Sequence, residues 1–285
     1  MAEARESVCR GQLPQMSEQL RVMVIGAHPD DADILAGCTA AKLVDAGARI
    51  RFVSVTNGDI GHQSMAPAEL AIRRRAEAQA SSKTLGIEEY LVLDHHDCEV
   101  EATLELRREL TRIIRTFAPH IVMTHRNCDY HADHRAVGTA VMDATYLLGV
   151  PHWCPEVKRP AVLPAVFTLR DIFTVPREMR ADLLVDCDPY ITRCIDAVRC
   201  HESQIYEWLP FDGGFMDDVP DKADVAACRD YVARHWICRK AHDSERFADV
   251  WRQRHPEVEL PKYLEAFEFS EYGRMPTPWE LSWFE

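Results

Sequence analysis

The sequence lacks long apolar runs and closely paired cysteines. No apolar stretch approaches the roughly 20 residues that a membrane-spanning helix needs, and residues 1–19 are polar and charged, without the apolar core of a signal peptide. The 10 cysteines are scattered singly, with no CxxC pair, which favours reduced and mostly packed thiols over disulfides. We therefore expect a cytoplasmic protein with no membrane partner.

An excess of basic residues is also missing. The 33 lysines and arginines are outnumbered by 46 acidic residues, so the formal net charge is -13. Proteins that bind nucleic acids present basic patches, and this balance therefore argues against a nucleic-acid partner. With 285 residues, 47% of them apolar, the chain can bury a large core as one domain or as one domain with an appendage.

The stretch 21–61 has the pattern of a strand, a turn, a helix and a second strand. Val22–Ala27 is an apolar run that stops at small residues, and an apolar helical pattern then continues until Gly47. Ile50–Val55 supplies the second β-rich run. In such a unit the turn after the first strand lies at the carboxyl end of the sheet, where open α/β folds place ligands.

That turn contains one imidazole and two carboxylates, from His28, Asp30 and Asp31, and no glycine fingerprint for phosphate. The composition suits a metal ion and not a nucleotide. A nucleotide-binding Rossmann enzyme is disfavoured for the same reason, since these carboxylates would meet the phosphates. A binding module without catalysis would tolerate the loss of Asp30, which is present here.

Strands and helices continue to alternate along the chain. Residues 67–85 and 102–117 are helical in composition, and residues 90–93 and 121–124 are strand candidates. This alternation predicts an α/β fold with a Rossmann-like, mostly parallel sheet flanked by helices. We expect a lead-in over 1–20, a catalytic core over 21–150, and over 151–285 the remaining strands with a C-terminal α/β cap, all in a single domain. In that last part, strands are expected at 165–169 and 183–185 and helices at 189–206 and 223–253.

A second polar stretch, from Thr124 to Leu148, follows the strand candidate at 121–124. Its apolar residues recur at helical spacing, so we expect a helix to begin near Asp133, with His131 and His134 at its start. Loops at the carboxyl ends of two parallel strands can face each other across a switch point. The prediction is a cluster of six side chains, namely His28, Asp30, Asp31, His131, Asp133 and His134.

Such a cluster is suited to metal-assisted hydrolysis. A borderline ion such as Zn²⁺ accepts two imidazoles and a carboxylate and keeps one position for water, whose pKa falls towards about 7. A second carboxylate can take the proton from that water, and a further imidazole can stabilise the oxyanion. The residue types favour zinc, although mixed sites accept other divalent transition metals. They do not decide which of Asp30 and Asp31 is the ligand.

Several motifs together resemble the LmbE-like/PIG-L superfamily of N-acetylglucosaminyl deacetylases. They are AHPDD at 27–31, TNGDIG at 56–61, RxxE at 74–77, HxDH at 131–134 and DAVRCHESQ at 196–204. The resemblance covers roughly residues 22–208, and the combination of AHPDD with HxDH is specific. The sequence departs from the family pattern at Ala36–Cys38, where relatives often have two glycines, and at Ala132, where many have proline.

The resemblance implies a role for each residue of the cluster. His28, Asp31 and His134 would bind the metal, and Asp30 would be the general base. His131 would stabilise the oxyanion or protonate the leaving amine, with Asp133 orienting its ring.

Substrate contacts would come from Asp59, Arg74 and Asp97, which match polar positions of relatives. In relatives the region after residue 150 caps the site and often joins subunits, so a homo-oligomer is a further expectation. Two residues of the later helix, His201 and Gln204, could belong to the core or to the pocket.

The expected function is therefore that of a zinc-dependent N-deacetylase that removes an acetyl group from an N-acetylated amino sugar of the N-acetylglucosamine type, or from its conjugate. The alternative keeps the site and changes the substrate. It is an amidase or de-N-acylase that acts on a thiol conjugate, a glycopeptide or another secondary metabolite.

Overall fold

A computed structural model describes residues 19–285, so nearly all of the expected lead-in over 1–20 lies outside the described residues. The described chain contains a seven-stranded sheet with the strand order β3-β2-β1-β4-β5-β7-β6. The strands are β1 (Arg21–Gly26), β2 (Arg49–Thr56), β3 (Glu89–His95), β4 (Ile121–Thr124), β5 (Ala165–Thr168), β6 (Leu183–Asp186) and β7 (Leu264–Ser270).

Helices cover both faces of this sheet. They are α1 (Asp31–Asp45), α2 (Pro67–Leu85), α3 (Leu104–Phe117), α4 (Ala132–Leu147), α5 (Ile191–Val198), α6 (Leu209–Gly213), α7 (Val225–Val232), α8 (Cys238–Arg246), α9 (Ala248–Arg254) and α10 (Pro278–Leu281). Two π-helical segments, Ser203–Trp208 and Ala233–Ile237, precede α6 and α8. The residues with buried apolar side chains form one cluster on each face of the sheet and further clusters under the C-terminal helices.

The order of the strands reverses between β1 and β4. Strand β1 pairs in parallel with β2 on one side and with β4 on the other, so that Val22 lies opposite both Ile50 and Ile121. Six strands run in one direction and only β7 runs against them. The predicted α/β fold with a mostly parallel sheet is confirmed. Its switch point is the place where the loops after β1 and β4 meet.

The C-terminal half differs from the prediction. The helix expected over 189–206 ends at Val198 and resumes as the π-helical segment at Ser203. The single helix expected over 223–253 is divided, because Phe247 leaves the helical conformation and packs its ring in a buried cluster with Trp251. Strand β7 was not predicted, since two of its seven residues are glutamates. Both glutamates, Glu265 and Glu268, are buried.

Glu265 belongs to a buried ion pair that joins the C-terminal half to α1. The Lys240 ammonium lies 2.5 Å from the Glu265 carboxylate and donates to the carbonyl of Ile34 at 2.7 Å. Glu265 in turn accepts from the backbone N–H groups of Cys38 and Thr39 at 3.0 and 2.8 Å. Burial alone would lower the pKa of Lys240, but Glu265 holds that pKa well above its ordinary value. The pair thus ties the backbone of α1 to α8 and β7.

Two negative findings concern the part of the chain from residue 19 onwards. No helix there combines the length and the apolar character that crossing a membrane requires. The nine cysteines in that part are all free thiols, and five of them are buried.

Candidate metal centre and active-site cavity

The turn after β1 holds Asp31 in place through its backbone. Oxygen Oδ2 of Asp31 accepts hydrogen bonds from the N–H groups of Ala27 and His28 at 2.9 and 2.7 Å. Glycine is needed at position 26, because a Cβ there would lie 2.8 Å from Cβ of Asp31. The other oxygen, Oδ1, lies 3.3 Å from Nε2 of His134, which is in the first turn of α4.

Two ring nitrogens and the carboxylate of Asp31 converge at this point. Nδ1 of His28 and Nε2 of His134 are 3.2 Å apart, Oδ2 of Asp31 lies 3.4 Å from the His28 nitrogen, and Oδ1 of Asp31 lies 3.3 Å from the His134 nitrogen. All three residues are buried. Ligands about 2.0–2.2 Å from a tetrahedral ion are themselves about 3.3–3.5 Å apart, so the spacing of these atoms fits a single divalent ion such as zinc. They form one of four candidate metal groups among the described residues.

Each imidazole also has a carboxylate near its second ring nitrogen. Nε2 of His28 lies 3.1 Å from Asp97 and 3.4 Å from Asp133, and Nδ1 of His134 lies 3.0 Å from Asp129. Such partners orient the ring of a metal-ligating histidine and raise its basicity. Burial opposes protonation of the two rings, but the Asp133 carboxylate and its neighbours hold the pKa of His28 well above its ordinary value. The Asp31 carboxylate raises the pKa of His134 to about 9.

Asp30 lines the same cavity as His28, Asp31 and His134. Its Oδ1 accepts from Nη2 of Arg74 at 3.2 Å, and Arg74 also donates to the carbonyl of Gly58 at 3.2 Å. Arg74 is only 2% exposed, although it lines the cavity. Gly58 has a φ of +67°, and a Cβ there would lie 2.3 Å from Nη1 of Arg74. The guanidinium is therefore packed against the backbone and against Asp30.

His131 caps α4 and faces the cavity. Its Nδ1 accepts a hydrogen bond from the backbone N–H of Asp133 at 3.2 Å. Since Nδ1 is an acceptor, a neutral His131 ring carries its proton on Nε2. Burial, together with the neighbouring His28 and His134, lowers the pKa of His131 and favours that neutral ring.

Asp133 contacts the His131 ring through its backbone. The backbone N–H of Asp133, rather than its carboxylate, makes the hydrogen bond to that ring. The Asp133 carboxylate instead accepts from the N–H groups of Cys98 and Val100 and lies beside His28.

The three expected substrate-contact residues are placed differently from one another. Arg74 and Asp97 line the cavity. Asp59 is buried and is not among the described residues of the cavity wall. It accepts from the backbone N–H of Asp97 at 3.1 Å and lies 2.7 Å from Nδ1 of His96. Asp59 thus supports the loop that presents Asp97.

Two residues that contact the cluster, His125 and Asp129, were not predicted from the sequence. Nε2 of His125, at the end of β4, lies 3.2 Å from Asp31, and its ring stacks on that of His134 with centroids 4.0 Å apart. Asp129 contacts Nδ1 of His134 as described above. Both precede the HxDH motif within one loop, and only their proximity to it in sequence could have indicated them.

The two residues whose roles were open in the sequence occupy different environments. His201 is fully buried, and its Nε2 lies 3.0 Å from Asp33 in the first turn of α1. Gln204 lines the cavity and donates to the carbonyl of Gly61 at 3.0 Å. His201 therefore belongs to the packing of α1, and Gln204 belongs to the cavity wall.

His28, Asp31 and His134 line a cavity of about 780 Å³. Loops after β1, β2, β3, β4 and β5 contribute to its wall, as do the C-terminal helices. The wall residues outside the cluster include Ile34, Leu35, Ile60, Gly61, Tyr130, Arg170, Asp171, Ile172, Phe173, Trp208, Leu209, Asp212, Trp236, Arg239 and His242. The size is within the range of about 300–1,000 Å³ that small-molecule sites occupy.

The fold and the cluster define an α/β protein with a candidate metal centre of two histidines and one aspartate at the switch point of its sheet. The family model described as PIG-L, GlcNAc-PI de-N-acetylase, matches residues 23–145. The chain is 30% identical over 138 residues to the uncharacterised deacetylase YaiS of Escherichia coli, covering 46% of this chain and 71% of that one. The protein belongs to the PIG-L family.

Two archaeal enzymes are also similar to this chain. The diacetylchitobiose deacetylase of Thermococcus kodakarensis is 29% identical over 201 residues, which cover 67% of this chain and 74% of that enzyme. The structure of the N,N'-diacetylchitobiose deacetylase of Pyrococcus horikoshii superposes with a TM-score of 0.70 at 22% identity. The superposition covers 95% of this chain and 93% of that one, and it shows that the fold is shared.

Proposed function

We propose that this protein hydrolyses the acetamido group of an N-acetylated amino sugar, or of a conjugate that contains one, and that it uses a single divalent ion, zinc by preference, held by His28, Asp31 and His134. One observation carries the proposal. Two imidazoles and one carboxylate, spaced for one ion, line the same cavity as a second carboxylate, that of Asp30, and the cavity is large enough for a sugar.

The residues around the ion site have separate tasks in this proposal. A bound zinc ion would supply Lewis-acid polarisation of the amide carbonyl. Asp30 takes a proton from the attacking water, since its carboxylate faces the cavity and is held by Arg74. Arg74 thus keeps the base in position and limits its movement.

His131 acts on the opposite side of the scissile amide. Because Nδ1 of His131 accepts from the backbone N–H of Asp133, Nε2–H is the group that can donate to the substrate. That N–H stabilises the oxyanion formed as water adds to the carbonyl, and Asp30 then passes the proton that it took from the water to the departing amine. Asp133 fixes the ring through its backbone and holds the 98–100 loop through its carboxylate.

The substrate class follows from the polar floor of the cavity and from family membership. Asp97 and Gln204 offer hydrogen-bonding groups to hydroxyls, and Asp59 holds the Asp97 loop. Because Arg74 already donates to Asp30, its main role is to hold the general base, and a contact with a sugar hydroxyl is secondary. A relative that carries the name diacetylchitobiose deacetylase supports a substrate of the N-acetylglucosamine type.

Acetate release tests this proposal directly. Protein stripped of metal should not release acetate from N-acetylglucosamine or N,N'-diacetylchitobiose, and one equivalent of zinc should restore the reaction. His134→Ala removes one of three ligands and should lose both stoichiometric zinc binding and activity. Zinc content by atomic spectroscopy and acetate by a coupled enzymatic assay are the two measurements.

His242→Ala is the matched control, because His242 also lines the cavity but belongs to none of the four candidate metal groups among the described residues. It should bind zinc like the parent protein. Stoichiometric zinc with no acetate release from any amino sugar would overturn the sugar assignment and favour an amidase for another conjugate. A protein that binds no divalent ion would overturn the metal site itself.

A further inference from the structure

The mouth of the cavity is apolar and exposed. Ile60, Tyr130 and Ile172 are 46%, 73% and 68% exposed, and all three line the cavity. They belong to three separate loops, which follow β2, β4 and β5. Large apolar side chains that remain exposed on different loops around one opening form a patch of the kind that marks ligand contact.

Half-buried apolar residues continue this surface inwards. Phe173, Trp208 and Leu209 line the cavity and are neither fully buried nor fully exposed. The cavity therefore changes along its depth from a floor of histidines and carboxylates to an apolar outer wall. This polarity is unlike that of a pocket built for a free sugar alone, whose hydroxyls need partners on all sides.

The charged residues of the outer wall do not cancel this apolar character. Asp171 is neutralised by Arg126 at 2.8 Å, and Arg170 is paired with Asp243 at 2.7 Å. The remaining charges in the part of the wall that the structure describes include Asp212 and Arg239, which are of opposite sign. The charges described at the mouth therefore balance and do not indicate an ionic group on the ligand.

We propose that the substrate carries an apolar substituent next to its acetamido sugar, and that Ile60, Tyr130 and Ile172 bind this substituent at the mouth. The inference rests on the proposed function, since the floor of the same cavity binds the scissile amide. Burying apolar groups at the mouth adds affinity of about fourfold for each methylene that leaves water.

The apolar group has two chemical sources. It is either an alkyl or aryl aglycone on the anomeric oxygen or an acyl chain longer than acetyl on the nitrogen. A substrate pair separates them. Hexyl N-acetyl-β-glucosaminide is compared with the methyl glycoside, and N-hexanoylglucosamine is compared with N-acetylglucosamine.

The zinc-loaded enzyme should prefer the hexyl compound of one pair by about 10- to 100-fold in kcat/KM, mainly through KM. Ile172→Ser should reduce that ratio by about 5- to 10-fold, and Ile60→Ser, from a different loop, should also reduce it. Both side chains are exposed, so neither variant is expected to impair folding.

Val175→Ser is the matched control. Val175 belongs to the same loop as Ile172 and is 75% exposed, but it is not among the described residues of the cavity wall. It should leave the ratio unchanged. Equal kcat/KM within both pairs, or a preference that survives in Ile172→Ser and Ile60→Ser, would overturn the inference.

Binding of hexyl β-glucoside, which has no amide, separates this inference from the proposed function. Calorimetry should show tighter binding of the hexyl than of the methyl glucoside, and this difference should fall in Ile172→Ser but not in Val175→Ser. If that result holds while no amino sugar is hydrolysed, the apolar mouth stands and the deacetylase assignment fails. If N-acetylglucosamine is hydrolysed, the hexyl group adds no affinity in the glucoside, and neither substrate pair shows a preference in kcat/KM, the deacetylase assignment stands and the apolar mouth fails.

Discussion

Replacement of Asp30 by asparagine is expected to lower kcat for acetate release by about 10²- to 10⁴-fold, the usual contribution of a general base. Asparagine has nearly the same shape and keeps an oxygen that can accept from Arg74, as Asp30 does at 3.2 Å. It cannot accept a proton from water. The loss should therefore appear in kcat, with the bound zinc remaining at one equivalent, since Asp30 is not one of the three converging ligands.

Two further measurements give this result its meaning. Asp45→Asn removes an exposed carboxylate at the other end of the same helix and should leave kcat unchanged. The second measurement is zinc content, which distinguishes a lost base from a lost metal. Full activity in Asp30→Asn would move the base to another carboxylate of the cavity, and Asp97 would then be the candidate to replace next.

Replacement of Lys240 by methionine is expected to lower the free energy of unfolding by roughly 3–5 kcal/mol. This loss is a large fraction of the total stability of a domain. The side chains of Lys240 and Glu265 are 4% and 2% exposed, so removing the ammonium leaves a buried carboxylate without its counter-ion. The carbonyl of Ile34 loses its donor at the same time. The melting temperature should fall by on the order of 10 °C.

Arg193→Met supplies the comparison for Lys240→Met. Arg193 also forms an ion pair with α1, through Asp45 at 2.7 Å, but the two side chains are 36% and 45% exposed. Its removal should cost less than about 1 kcal/mol. Equal melting temperatures for the two variants would mean that the buried pair contributes no more than a surface pair, contrary to its buried position between α8 and β7.

Short motifs with regular spacing account for what could be predicted from the sequence. Strand β4 and helix α2 have the predicted bounds, because β4 is a short apolar run and α2 has a helical composition that ends at Gly86. The placing of AHPDD and HxDH at two strand ends follows from the parallel sheet. Their side chains meet because β1 and β4 are neighbours, which strand alternation alone does not reveal.

Residues that act through contacts distant in sequence could not be predicted. Glu265 is a buried glutamate in a buried strand, and its partner Lys240 is on α8. Neither residue has a local sequence pattern that indicates a buried ion pair. In the sequence His125 is one polar residue after a strand, and only the structure shows that its ring stacks on that of His134. The breaks in the C-terminal helices likewise depend on tertiary packing, which has no local sequence pattern.

The position of β7 in the sheet also has a consequence for biosynthesis. Within residues 19–285, β7 is the only strand that pairs with β6, and it also covers the outer edge of β5. The ribosome adds residues 187–263 between these strands, which takes on the order of several seconds at roughly 5–20 residues per second. During that interval the nascent chain holds two unpaired strand edges, which are templates for aggregation. Chaperone binding to ribosome-bound chains is therefore expected to end when residues 264–270 emerge from the exit tunnel.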